Sequence, residues 1–170
     1  MGKILFAEKS GIHVLKFVGD VRLTLGPTIS TFLEQLRSCS DFRSMIIDLT
    51  DTETIDSTAL GLIAKISICT QESFNSTTTI VSPRGDVTRV LNSMAMEQVC
   101  VISHDQISDE TGLRELPQEI ASEDVLREQV LEAHKVLMSL TSENYEKFQD
   151  LVEALESEKP LEPTQTARTG

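Results

Sequence analysis

The chain reads as an α/β protein: a mixed sheet with helices packed on it, followed by an α-helical C-terminal extension. Three observations predict this. Over residues 1–103, short apolar runs of strand length alternate with longer stretches of helical period. Beyond residue 120 only helical spacing remains. Between the two regimes, residues 104–119 hold Gly112 and Pro117 and show no clear period.

The elements follow in order. Lys3 to Phe6 and His13 to Val18 are strand candidates, with a turn near Ser10-Gly11. Thr28 to Cys39 predicts a helix, because Ile29, Phe32, Leu33 and Leu36 share one face and Pro27 suits a first turn. Met45 to Leu49 is a short apolar strand, expected to be buried on both faces. A polar loop follows, and Ser57 opens a helix reaching about Ser73. Thr78 to Val81 is a strand, Asp86 to Met94 a helix, and Val99 to Ile102 the closing strand.

The extension, residues 120–158, opens at Ser122, which can cap a helix whose first turn carries Glu123 and Asp124. Val125, Val130, Ala133, Val136, Leu137 and Leu140 form one apolar stripe; Tyr145, Phe148, Leu151, Val152 and Leu155 form another. The segment is one long helix or a hairpin, according to whether Thr141-Ser142 continues the first helix or caps a second. Residues 159–170, with Pro160 and Pro163, are expected to be disordered.

Charge is unevenly spread. Residues 1–102 carry 9 Lys and Arg against 11 Asp and Glu; residues 103–170 carry 6 against 16, which accounts for most of the net −12. Such an extension repels phosphate backbones, so nucleic acid is not expected as a partner. No stretch approaches the roughly 20 apolar residues of a membrane helix, and Met1-Gly2-Lys3 leads into only a short apolar run, so neither membrane nor export is expected. Cys39, Cys69 and Cys100 are odd in number and far apart, which reads as reduced thiols of a cytoplasmic protein.

Catalytic chemistry is not legible. His13, His104 and His134 are scattered, no Cys/His cluster suits a metal, and no glycine-rich loop suits a phosphate or dinucleotide, so no cofactor is expected. Asp48 and Asp56 flank the loop before Ser57, where Asp48 is expected to bond loop backbone and Asp56 to hold the geometry before the serine. No Ser-His-Asp or Cys-His arrangement can be assembled from the sequence. The protein reads as an enzyme's substrate, not an enzyme.

Ser57 stands where an N-cap belongs, its oxygen accepting from first-turn N–H groups. That end of a helix also favours negative charge. On local physics alone, an ordinary cap suffices.

Met45-Ile46-Ile47-Asp48-Leu49 followed by Ile55-Asp56-Ser57-Thr58-Ala59-Leu60-Gly61 resembles the central signature of STAS domains, the family of the anti-sigma factor antagonists. Gly19-Asp20-Val21-Arg22-Leu23, Val81-Ser82-Pro83 and the stretch Val87 to Met96 fall in the expected order. The resemblance covers about residues 3 to 102 and, with its extension, is most similar to the HsbA-type anti-anti-sigma factors. It departs at Ala59, where the family often has Gly, and at Ala95-Met96, where Gly-Leu is common.

The resemblance implies a STAS-like fold and a partner switch. The unphosphorylated protein would bind an anti-sigma factor, or a switch kinase with that activity. A serine kinase would phosphorylate Ser57 and break the complex, and a serine phosphatase would restore it. The partner surface expected comprises Asp56, Thr58, Leu60, Gly61 and Ala64, the last three because of a doubled apolar stripe on the helix, with Arg22 and Thr24 as weaker members whose simpler reading is solvent exposure.

On a helical wheel Ala59, Leu62, Ile63, Ile66 and Cys69 form one face of the Ser57 helix. Leu60, Ala64 and Ile68 form a second stripe beside Ser57 and Gly61. That stripe is either a partner surface or a face covered by the C-terminal extension. The alternative function class is a ligand-sensing or scaffold module, such as a soluble accessory subunit of a transporter.

Overall fold

The computed structural model describes residues 1–107 and 111–158. The expected tail, residues 159–170, lies outside the described residues. The chain forms a mixed seven-stranded sheet, and the helices and the apolar side of the sheet share one core.

β1 (Lys3–Lys9) and β2 (Ile12–Val21) make an antiparallel hairpin. Its turn places Ser10 and Gly11 at positive φ, and Gly11 donates its N–H to the Glu8 carboxylate at 2.8 Å. α1 (Gly26–Arg37) follows, with Pro27 in its first turn. β3 (Ser44–Asp48) runs parallel to the first half of β2. β4 (Thr52–Ile55) runs parallel to its far end. Then come α2 (Ser57–Phe74), β5 (Thr78–Val81), α3 (Gly85–Ser93) and β6 (Cys100–Ser103). β7 (Arg114–Glu115) pairs with the outer edge of β1. α4 (Glu123–Met138) and α5 (Ser142–Ser157) complete the chain. The strand order is β6-β5-β3-β2-β1-β7, with β4 beside β2.

β3 corrects one expectation. Met45 and Ile47 are buried, but Ile46 is only half-buried on the opposite face, in register with Val14. An apolar run this short has no readable period, so its two faces could not be told apart. β4 corrects another, since it lies where the sequence suggested only loop. Its anchor is Thr52, fully buried, whose hydroxyl donates to the Phe17 carbonyl at 2.9 Å. Four residues with Glu53 and Thr54 exposed carry no strand signature.

At position 95, where the resemblance leads to an expectation of glycine, the backbone supplies the physical reason. Ala95 adopts φ 59°, a left-handed conformation that costs a residue with a Cβ roughly 1–2 kcal/mol. All three cysteines are free thiols: Cys69 and Cys100 are buried and Cys39 is half-buried. Burial, with Glu97 nearby, pushes Cys100 up to about 12.

The extension is a hairpin. Ser122 caps α4 through Val125 N–H, and Thr141 caps α5 through Asn144 N–H. The segment before it is tied to the sheet and to α1. Leu116 N–H donates to the Ile4 carbonyl at 2.9 Å, and Glu119 N–H donates to the Thr28 hydroxyl at 3.1 Å. Asn144, 1% exposed, joins the hairpin to the α/β unit: its amide donates to Met94 O at 2.8 Å and Leu137 O at 3.0 Å. Asn144→Ala leaves both carbonyls without that donor. It should weaken hairpin docking by about 1–3 kcal/mol, read as faster amide exchange in α5 with β3 unchanged. The expected stripe on α5 is only partly buried: Phe148 and Val152 pack inward, while Tyr145 and Leu151 are 48% and 41% exposed.

Candidate functional site

The site begins where β4 delivers the chain to α2. Asp56 N–H donates to Val21 O at 3.0 Å. One carboxylate oxygen of Asp56 accepts from Ala59 N–H at 2.8 Å and the other from Leu23 N–H at 2.9 Å. Asp56 is therefore the N-cap, and Ser57 is the first helical residue. This corrects the cap assigned to Ser57. A carboxylate one residue earlier already takes the N–H that the serine would have capped. By holding Leu23, Asp56 also fixes the loop that carries Arg22 and Thr24, both exposed. Asp48 accepts from Thr50 N–H at 2.9 Å and so shapes the turn between β3 and β4.

Relieved of capping, the Ser57 hydroxyl lies 2.8 Å from Nε2 of His134 on α4. Nδ1 of the same imidazole lies 2.6 Å from the Val130 carbonyl. A carbonyl only accepts, so Nδ1 carries a proton, and in the neutral imidazole Nε2 is then the acceptor and Ser57 donates. His134 is 2% exposed and packs edge-on against Phe148, ring centroids 5.0 Å apart. Behind the imidazole stands a backbone carbonyl, not a carboxylate. The pair thus lacks the buried acid that stabilises an imidazolium in a hydrolytic triad.

One and two turns further along α2, the contact with α4 continues. A Cβ built on Gly61 would overlap the Ala133 carbonyl oxygen and fall 2.6 Å from its carbonyl carbon, so the two backbones meet at a point that admits no side chain on α2. Lys65 then pairs with Glu132. At 100° per residue, Ser57, Gly61, Ala64 and Lys65 lie on the side of α2 opposite Ala59, Ile63 and Ile66. α4 covers that side, and Leu60 and Ala64 are both fully buried. Of the two readings of the second stripe, coverage by the extension describes this structure. Thr58 is 4% exposed, and Gly61 is buried.

Asp56, Thr58, Leu60, Gly61 and Ala64 are thus brought together at the start of α2, with Arg22 and Thr24 on the adjoining loop. Sequence reasoning missed His134, Ala133 and Lys65 as members of the site. His134 is 77 residues from Ser57. The one available signal was its place in the stripe, four residues after Val130 and three before Leu137, where a polar side chain would face inward. Among the described residues, no group of three or more His, Cys, Asp and Glu side chains could hold a metal ion, and no helix is long and apolar enough to cross a membrane.

The model of the STAS domain family matches residues 3–108, which takes in β1 to β6, α1 to α3 and Ser57 but not β7. That span is more than half of the chain, and the protein belongs to the STAS domain family. The match ends before α4, so the helices that cover Ser57 stand outside the family's shared domain. Among solved structures, one from Thermotoga maritima described as a candidate anti-sigma factor antagonist is similar at 22% identity. The alignment covers 61% of this chain and 86% of that one, with a TM-score of 0.49. Among curated proteins no relative matches.

Proposed function

We propose that this STAS protein is an anti-sigma factor antagonist of the cytoplasm that works as a phosphoserine-controlled partner switch, not an enzyme. One observation carries the reading. Directly after the Asp56 cap, α2 begins with a serine whose hydroxyl lies on the side of the helix turned away from Ala59, Ile63 and Ile66. A phosphate there meets the positive end of the helix dipole, so the domain tolerates it. An apolar partner face does not, because phosphoserine adds roughly −1.5 to −2 charges whose burial is costly. Unphosphorylated protein then binds an anti-sigma factor or a switch kinase, a serine kinase ends that complex, and a serine phosphatase renews it. Residues 1–103 form the switch domain, residues 104–119 the linker, and residues 120–158 the element that adds partner specificity.

Mass spectrometry after incubation with the cognate kinase and ATP should place phosphate on Ser57. Modification of Thr58 or of Thr164 in its stead would overturn the assignment. Ser57→Ala should fold and resist phosphorylation. It removes the donor to a buried imidazole rather than a cap, at a cost of about 1–3 kcal/mol.

A further inference from the structure

We propose that the α2 face around Ser57, Gly61 and Lys65 is a helix-binding surface, and that α4 is its built-in occupant, a stand-in that a partner helix must displace. The inference rests on the partner-switch reading for what the partner does, but not for the surface itself. Three features of α4 define what the surface accepts. Ala133 brings its backbone against Gly61, so the occupant needs a small residue at the crossing. His134 offers an acceptor to the Ser57 hydroxyl. Glu132 offers a carboxylate to Lys65. The fitting partner is therefore an amphipathic helix with a small residue at its centre, a hydrogen-bond acceptor beside it and an acid on the flank.

The dock is built to release. Its buried side mixes Gln129, His134 and Asn144 with Ala133, Leu137, Phe148 and Val152. Interfaces between separable units are more polar than permanent ones. Gln129 is the sharpest instance: its amide nitrogen donates to Ser30, while its Oε1 is buried with no hydrogen-bond partner. That orphan would regain water on opening, so its burial cost favours the open state. A hinge is present as well. The chain is tied to Thr28 as far as Glu119, α4 begins at Glu123, and Ile120 between them is 96% exposed. The hairpin can swing on residues 120–122 without disturbing the sheet.

Closure and partner binding then exclude each other. A partner's apparent affinity is its intrinsic affinity reduced by the open fraction, so a chain open about 1% of the time binds roughly 100-fold more weakly than one held open. Closure also engages the Ser57 hydroxyl, so a kinase meets the same gate as the partner.

The test uses the full chain with Ser57→Cys, and follows alkylation of the introduced thiol by N-ethylmaleimide at the peptide level. Adding Ala133→Arg, which lies on α4 and leaves the α2 surface intact, should speed alkylation at least 10-fold. In parallel, a fluorescent peptide of residues 120–158 should bind the Ala133→Arg chain at least 10-fold more tightly than wild type. The same peptide carrying Ala133→Arg should not bind. Amide protection in β3 and β5 verifies that the sheet is intact, and Leu137→Glu replaces Ala133→Arg if protection is lost. Unchanged alkylation, or a peptide that binds neither chain, overturns the proposal. So does loss of the sheet in both variants, since the hairpin would then be part of the core. No readout involves a kinase. A failed phosphosite therefore leaves the surface standing, and a phosphorylated Ser57 whose accessibility ignores Ala133→Arg sinks the gate alone.

Discussion

Gly61→Val should release the C-terminal hairpin from an otherwise folded domain. The three heavy atoms nearest a Cβ at position 61 are the O, C and Cα of Ala133, the last two at 2.6 and 2.7 Å. All are helix backbone, so no side-chain rotation relieves the clash. Forcing extra carbons into a packed contact costs about 1–3 kcal/mol or more. That cost falls on docking alone. In the undocked state the substitution is close to neutral or mildly favourable, because glycine is a poorer helix former than valine by roughly a few tenths of a kcal/mol. Hydrogen exchange should show amides around Val136 and Leu137 losing protection by about 10-fold to 100-fold, consistent with that penalty. Those of Ile47 and Ile80 should stay near wild type. Retained protection at Val136 would mean that α2 and α4 slide apart cheaply.

The domain model ends at residue 108. The contacts on Ser57 and Gly61 come from residues well beyond it. The α2 face that carries Ser57 and Gly61 is thus occupied by a helix of the same chain that lies outside the family's span and is tied to α1 through Glu119 and Thr28. Such a tether presents the occupant at an effective concentration in the millimolar range. Even a weak dock is then enough to tax a partner.

How far the sequence spoke depends on whether a contact is local. Periodicity located α1, α3 and the main face of α2, and short apolar runs located the central strands, because burial is written in the spacing of Ile, Leu and Val; α2 is buried on a second side as well. Thr52–Ile55 escaped because its strand is held by one buried hydroxyl and a neighbour more than thirty residues away. Arg114–Glu115 escaped because two exposed residues pairing with an edge carry no pattern. The start of α2 was half legible. The Asp-Ser pair marked the helix entry, but the choice of cap turned on which oxygen reaches Ala59 N–H, and that is geometry. The two stripes of α2 were visible. What covers the second was not, since an apolar face reads the same beneath a partner and beneath its own chain. The extension's stripes resolved into a hairpin through Thr141, a cap that ends the ambiguity of the continuous reading.

Ala64→Glu should separate those two meanings by what it does to stability. On an open partner surface the substitution would weaken binding and leave the melting temperature near wild type. Ala64 is instead fully buried, on the side of α2 that meets α4. A glutamate there has Lys65 as a chain neighbour, but that ammonium already pairs with Glu132. Leaving a carboxylate unpaired in a packed contact costs several kcal/mol. The hairpin can avoid that cost only by undocking, which returns the carboxylate to water. The expected result is therefore a two-step melt. The hairpin is lost first and exposes its apolar side, and the sheet unfolds later, at a temperature shifted far less. Tyr145→Glu is the control: at 48% exposure on α5 it should alter neither step. A single transition at the wild-type temperature would mean that α4 leaves Ala64 open to water in solution. One cooperative transition lowered as a whole would mean that the hairpin and the sheet fold as a unit, with no separable gate.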